Sequence, residues 1–266
     1  MIFRVLFFIF VFVPVMVVII PLQALINALK LPFWTVLPRF FHRIGCFWLG
    51  LRVTTIGEPA TGRPTLLVSN HIAWTDIVAI GSVADVAFVA KREVGEWFFV
   101  STMARLQKTI FVDRTRRSDA GRTASAMGAH LAGGNAMVLF AEGQSDSGTH
   151  VLPFRSALVG AAQHAMIDAG AKDVMIQPLT VAYTSMQGLP ISRNERGLLR
   201  WSKSKSAKQN IRDILGGPVK NVTVAFGTPR SLNEGDNRKR VTKAAEDDVR
   251  AMLVALNRRQ ELPLKS

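Results

Sequence analysis

Apolar and polar positions divide the chain into two patterns. Val5 to Leu22 is a run of 18 residues without a polar side chain, and only Gln23 and Asn27 interrupt the apolar character through Leu29. A helix needs about 20 residues to cross the hydrocarbon core of a membrane, so this stretch predicts a membrane-associated helical segment. Pro14 and Pro21 each remove a backbone donor and tend to kink a helix, which leaves both a straight span and a re-entrant hairpin open. The run exceeds the core of about 7 to 15 residues of a signal peptide, and Gln23 to Lys30 offers no small-x-small cleavage site, so the segment is expected to be retained. From Leu31 to Leu51, Phe33, Trp34, Phe40, Phe41, Phe47 and Trp48 mix with Arg39, His42 and Arg43. That is the composition of a helix at the headgroup level, or of one packed on the protein's own domain.

After Gly57-Glu58-Pro59 short apolar runs alternate with helical patterns. Strands are expected at Thr65 to Val68, Val86 to Ala90, Thr109 to Val112, Met137 to Phe140, Val174 to Tyr183 and Val222 to Phe226. Helix faces are marked by Ala124, Met127 and Leu131, by Leu158, Ala162 and Met166, and by Ala245, Val249, Met252, Leu253 and Leu256. The alternation predicts an α/β fold, with a mixed, largely parallel sheet flanked by helices behind the N-terminal membrane-associated segment. The expected division is 1–57 as a membrane-anchoring and interfacial segment and 58–266 as the α/β domain. Arg193 to Arg212, with seven basic residues and Glu195 around Trp201, reads as a solvated or membrane-facing loop.

Charge and composition narrow the partners. Thirty-three basic against 19 acidic residues give a net charge of +14, which calls for an anionic partner. No acidic residue precedes Glu58, so the N-terminal segment suits an anionic leaflet. The basic stretches lack interleaved aromatic residues, Trp201 apart, so nucleic acid is not expected. Cys46 is the single cysteine, which excludes an intramolecular disulfide, and no Cys/His cluster has metal-ligand spacing.

The candidate chemistry falls at strand ends, where open α/β sheets collect ligands. Ser69 to Asp76 follows the first α/β-domain strand. His71 is a candidate base, because histidine can exchange a proton near neutral pH, and Asp76 can fix its tautomer. Five residues on a regular helix rotate by about 140°, so the pair can meet only at a strand-to-helix corner. Asp113-Arg114-Thr115-Arg116-Arg117 places arginine forks after the third strand, a phosphate clamp or a solvated loop. Glu142-Gly143 follows the fourth strand, where the glycine permits a tight turn, and Arg155 lies further along.

In this order the pieces resemble the 1-acylglycerol-3-phosphate O-acyltransferase family, its bacterial members especially, across about Leu51 to Phe226. Its N-H-x4-D block is matched by Asn70, His71 and Asp76. Its G-x-x-F-[IV]-x-R block is matched at Phe111, Val112 and Arg114, with Lys108 in place of glycine. Its F-P-E-G-T-R block is matched at Phe140, Glu142 and Gly143, with Ala141, Gln144 and Ser145 in place of proline, threonine and arginine. Its proline-bearing strand corresponds to Val174 to Val181 with Pro178. The resemblance implies His71 as general base, Asp76 as its orienting partner, and Arg114 and Arg116 as phosphate ligands. It also implies Lys91 as a phosphate-facing lysine and Glu142-Gly143 as an acceptor-binding turn. Asn70 and Phe111 complete the substrate-binding set, with Arg155 as a replacement for the missing cation.

The implied reaction moves a fatty acyl chain from acyl carrier protein or coenzyme A thioester to the hydroxyl of a lysolipid, without a resident cofactor. The expected acceptor is 1-acyl-sn-glycerol-3-phosphate, giving phosphatidic acid, with lyso-ornithine lipid as the alternative. The implied place is the bacterial inner membrane, with the catalytic domain facing the cytoplasm. Two competing readings are a serine hydrolase at Ser145, in Gly143-Gln144-Ser145-Asp146-Ser147, and a non-enzymatic binder of anionic lipid or nucleic acid.

Overall fold

The computed structural model describes residues 2–60, 62–91, 98–112, 118–157, 159–160, 163, 170, 174–200, 206–233 and 235–263. Among these, nine strands form one sheet: β1 (Leu51–Ile56), β2 (Thr65–Ser69), β3 (Val86–Lys91), β4 (Ile110–Val112), β5 (Ala136–Phe140), β6 (Met175–Met186), β7 (Leu189–Pro190), β8 (Lys220–Phe226) and β9 (Arg230–Ser231). The order is β1-β8-β6-β2-β5-β3-β4, with β7 and β9 paired to β6. Strands β2 to β6 run parallel to one another, and β8 turns antiparallel to β6 and carries β1 parallel beside it. The sheet is therefore mixed and largely parallel, as the alternating pattern predicts. Continuous apolar runs suit strands covered on both faces, and every residue of β2 is buried.

Successive side chains point to opposite faces. Leu66, Val68, Met137 and Leu139 meet the C-terminal helix Arg238–Arg258 and the helix Ser118–Ala132 through Val249, Met252, Leu253, Met127 and Leu131. On the other face, Leu67, Val138, Phe140 and Val181 meet the helices Val36–Leu49, Thr75–Val83 and Ala207–Gly216 through Leu49, Ile80 and Ile214.

All six expected strands form, with ends shifted by up to three residues. β1 was not expected. Arg52, Thr54 and Thr55 interleave with Leu51, Val53 and Ile56 in this sheet-edge strand, and it follows an aromatic-rich helix directly. Residues 51–56 thus pair with β8 and belong to the sheet, although the boundary at 57 groups them with the anchoring segment. The expected loop Arg193 to Arg212 contains two helices, Arg193–Leu199 and the start of Ala207–Gly216. Ser192 and Glu195 form a reciprocal capping box, and Ser206 caps the second helix by accepting from the Gln209 N–H. Trp201 and the face expected from Leu158, Ala162 and Met166 lie outside the described residues.

The N-terminal run is one continuous helix, Ile2–Ala28, long and apolar enough to cross a membrane by length and composition. It does not make the reversal a hairpin requires. A π turn at Phe8–Phe12 precedes Pro14 and contains Phe10, the carbonyl an unbroken α-helix would pair with residue 14. Both ends are tied to the rest of the protein. Arg4 donates to the carbonyls of Leu215 and Gly217, while Gln23 donates to Trp34 and Asn27 to the carbonyl of Leu106. The helix Val36–Leu49 packs on Thr75–Val83 so closely that a Cβ on Gly81 would collide with the His42 ring. Its outer face leaves Phe40 and Phe47 exposed, with Phe47 beside exposed Phe3 of the first helix, which also exposes Phe10. One face is thus packed on the protein's own domain and another is turned outward.

Candidate active site

The register of β2 and β5 pairs Ser69 with Phe140, so the segments leaving both strands are neighbours. The Ala141 N–H donates to the Ser69 carbonyl and carries the pairing one step beyond the strands. The chain after β2 stays irregular until the helix Thr75–Val83 begins, which puts Asp76 in its first turn.

From that turn the Asp76 carboxylate reaches back. Its Oδ2 accepts from the N–H groups of Ile72 at 2.6 Å and Ala73 at 2.9 Å, and lies 2.9 Å from Nδ1 of His71. The corner thus meets the geometric condition set by the five-residue spacing. Asp76 is fully buried, and its Oδ1 accepts from the Tyr183 hydroxyl of β6 at 2.9 Å. The His71 ring stacks on Phe140 at 4.2 Å between centroids and keeps 22% of its side chain exposed. With Nδ1–H given to the carboxylate, Nε2 carries the lone pair, which is the arrangement a general base needs.

Asn70 holds the corner from below. Its Nδ2 donates to the Val181 carbonyl and its Oδ1 accepts from the Val181 N–H, each at 2.9 Å. Expected as a substrate contact, it is buried with both amide atoms spent on β6, so the geometry gives it a positioning place.

Glu142 differs from its expected place in the same way. Oε2 accepts from the His71 N–H and Oε1 from the Leu152 N–H, both at 2.8 Å, so the buried carboxyl ties the corner to the returning loop. Burial pushes its pKa up to about 8. The Asp146 and Asp76 charges add to that rise, and the two backbone donors oppose it. Gly143 adopts φ +72°, the left-handed region that favours glycine.

The loop then closes on the corner, with the Asp146 N–H donating to the His71 carbonyl at 2.8 Å. Gly148, at φ +72°, sits so tightly that a Cβ there would stand 2.5 Å from Cδ1 of Ile72. Its carbonyl accepts from the guanidinium of Arg196 and from Nδ2 of Asn257, each at 3.0 Å. Arg196 is buried, and burial lowers its pKa below the ordinary arginine value. Tyr183, Arg196 and Asn257 were not among the expected site residues. A tyrosine inside an apolar strand is the one signal that pointed to the first, because its hydroxyl needs a partner when buried.

The remaining expected residues share this edge of the sheet unevenly. Lys91 ends β3 in register with Val112, and half-buried Phe111 lies opposite Ala90. Arg114 and Arg116 lie outside the described residues. Arg155 is exposed, and its N–H donates to the Ala141 carbonyl, which keeps its backbone beside the turn. Lys108 adopts φ +55° with its amine 4.3 Å over the Trp34 ring. The left-handed backbone accounts for the glycine usual at that position. The serine-hydrolase reading needs a strand-turn-helix elbow, yet residues 144–155 continue from β5 without a helix. Among the described residues no group of three or more His, Cys, Asp or Glu side chains could hold a metal ion.

The acyltransferase family model matches residues 51–182. The chain is 40% identical to a Brucella abortus protein named lyso-ornithine lipid O-acyltransferase, over 92% of both chains. It is 36% identical to the Rhizobium meliloti protein of that name, over 91% of this chain and 82% of the other. A 1-acyl-sn-glycerol-3-phosphate acyltransferase of Neisseria gonorrhoeae is 35% identical over 44% of this chain and 45% of its own. The crystal structure of the 1-acyl-sn-glycerophosphate acyltransferase PlsC from Thermotoga maritima superposes with a TM-score of 0.62 at 19% identity. That match covers 86% of this chain and 82% of the other, and it shows the shared fold.

Proposed function

The chain belongs to the acyltransferase family and is an O-acyltransferase of lysolipids, and we propose that its acceptor is a lyso-ornithine lipid. The observation that carries this reading is the 40% identity over 92% of both chains with a protein of that name. It favours the alternative over lysophosphatidate, the acceptor first expected. The residues beside His71 support the choice. Gln144 and Ser145 stand where a phosphate-acceptor enzyme has threonine and arginine, and Asp146 adds a carboxylate next to Glu142. An ornithine headgroup brings a side-chain ammonium, which suits the Asp146 carboxylate better than a phosphate dianion does, while burial keeps the neighbouring Glu142 protonated.

In the proposed mechanism Nε2 of His71 takes the proton of the acceptor hydroxyl as its oxygen attacks the thioester carbonyl. The new C–O bond forms, the C–S bond breaks, and the imidazolium returns the proton to the departing sulfur. Asp76 stabilises the imidazolium through Nδ1. The donor is an acyl carrier protein or coenzyme A thioester, and Lys91, Arg114, Arg116 and Arg155 are the cations offered to its phosphates or to the acceptor carboxylate. The outward apolar faces of the first two helices lie against the membrane. Because thioester donors are cytosolic, that membrane is the bacterial inner membrane, contacted from the cytoplasm.

The test is an assay of purified protein offering lyso-ornithine lipid and lysophosphatidate side by side, with each thioester as donor. Turnover at least about tenfold faster on lyso-ornithine lipid is expected, a preference worth about 1.4 kcal/mol. Equal or faster turnover on lysophosphatidate would overturn the acceptor assignment.

A further inference from the structure

Tyr183 sits in β6 among apolar neighbours and belongs to none of the motif blocks, yet its hydroxyl touches the catalytic pair. It lies 2.9 Å from Oδ1 of Asp76 and 2.5 Å from Oγ1 of Thr75. All three side chains are fully buried.

We propose that Tyr183, backed by Thr75, is a positioning residue of the acyl transfer: its hydroxyl donates to Oδ1 of Asp76, orients the carboxylate and limits how strongly it draws on Nδ1–H of His71. The inference rests on the reading of His71 as the base. An ionised carboxylate can only accept, so the single hydroxyl proton of Tyr183 must point at Asp76. The Tyr183 oxygen is then an acceptor, and Thr75 must be its donor. Protons are ordered from Thr75 to Tyr183 to Asp76, with His71 donating from the opposite side.

This chain divides the work between the two carboxylate oxygens. Oδ2 holds the corner through Ile72, Ala73 and His71, while Oδ1 is steadied through Tyr183. Burial, with the Asp76 charge adding, holds the phenol well above its ordinary pKa, so it stays a proton donor wherever the enzyme works. Removing that donor concentrates the carboxylate's negative charge on its bond to the imidazole. His71 then holds a proton more tightly and becomes a neutral base only at higher pH. Among the described residues, the other titratable groups around this chain are Glu142 and Asp146, both bonded to the His71 backbone, and Cys46 on the helix behind Tyr183.

The experiment is the pH dependence of kcat and of kcat/KM for the acceptor in wild type, Tyr183→Phe, Thr75→Val and Thr75→Ser, with thermal melts of each. In Tyr183→Phe the acid limb should move up by about half a pH unit or more, kcat at pH 7 should fall about tenfold, and the acceptor KM should change less than about twofold. Thr75→Val should shift the limb in the same direction by less, and Thr75→Ser should restore it. A folded Tyr183→Phe protein with an unmoved acid limb overturns the proposal, whatever its kcat. Should that variant fail to fold, identical limbs in Thr75→Val and Thr75→Ser do the same. His71→Ala separates the two ideas: retained activity there refutes the base itself, whereas lost activity with unmoved limbs in the Tyr183 and Thr75 variants refutes only this role.

Discussion

The corner after β2 and the turn after β5 leave adjacent strand ends, and each buries a carboxyl group beside His71. Asp76 gathers a ring nitrogen, two backbone N–H groups and a phenol. Glu142 gathers two backbone N–H groups, one from the corner and one from the returning loop. The donors distinguish the two: Asp76 holds the His71 ring, which the proposed mechanism makes the base, and Glu142 holds the backbone around it. A carboxyl at a strand end is therefore assigned by what donates to it.

The comparison breaks most visibly if the β2 side does not carry the chemistry. His71→Ala should lower turnover by at least about 10² with an unchanged melting temperature, measured by acceptor-dependent product formation and calorimetry. Near-normal turnover would remove the distinction.

Glu142→Gln sharpens the other half. Its carboxyl titrates near 8 in the folded protein against an ordinary value of 4.5, so between those pH values the folded state holds a proton that the unfolded chain has released. Stability therefore falls as pH rises from about 4.5 to about 8. The glutamine cannot titrate, so urea melts across that range should show a flatter slope. It also loses one of the two backbone bonds, which costs about 1–3 kcal/mol at pH 5. A slope equal to that of wild type would contradict this account of Glu142.

Asn70→Ala tests whether that residue holds the corner or meets substrate. With both amide atoms on Val181, the expected result is a loss of about 1–3 kcal/mol in urea melts and a lower kcat at unchanged acceptor KM. A rise in KM alone would return Asn70 to the substrate. The smallest effect is expected from Gly148→Ala, where the left-handed backbone and the contact with Ile72 cost about 1–2 kcal/mol, read as a lower melting temperature.

The sequence-level reading reached the fold class because the parallel strands are continuous apolar runs, and it brought His71 and Asp76 together because a five-residue spacing demands a corner. It missed β1, whose alternation with Arg52, Thr54 and Thr55 is that of a sheet-edge strand. It read Arg193 to Arg212 as a loop because charge obscured the Ser192-to-Glu195 capping box, and so overlooked Arg196, which holds Gly148 under the corner. Asn70 and Glu142 were expected to face substrate, whereas their hydrogen bonds in the structure go to the protein's own backbone. Spacing can bring a side chain to an edge, whereas the groups that saturate Asn70 and Glu142 include Val181 of β6 and the His71 N–H, which are far from them along the chain.

The central claim is direct transfer by a histidine base, with no acyl-enzyme. Purified protein incubated with a fatty acyl thioester alone, followed by intact-mass spectrometry and thiol release, tests it directly. The account predicts an unchanged protein mass and background thiol release until a lysolipid hydroxyl is supplied. Stoichiometric acylation of the protein before acceptor is added, at Ser145 or elsewhere, with transfer of that acyl group once acceptor is present, would contradict it.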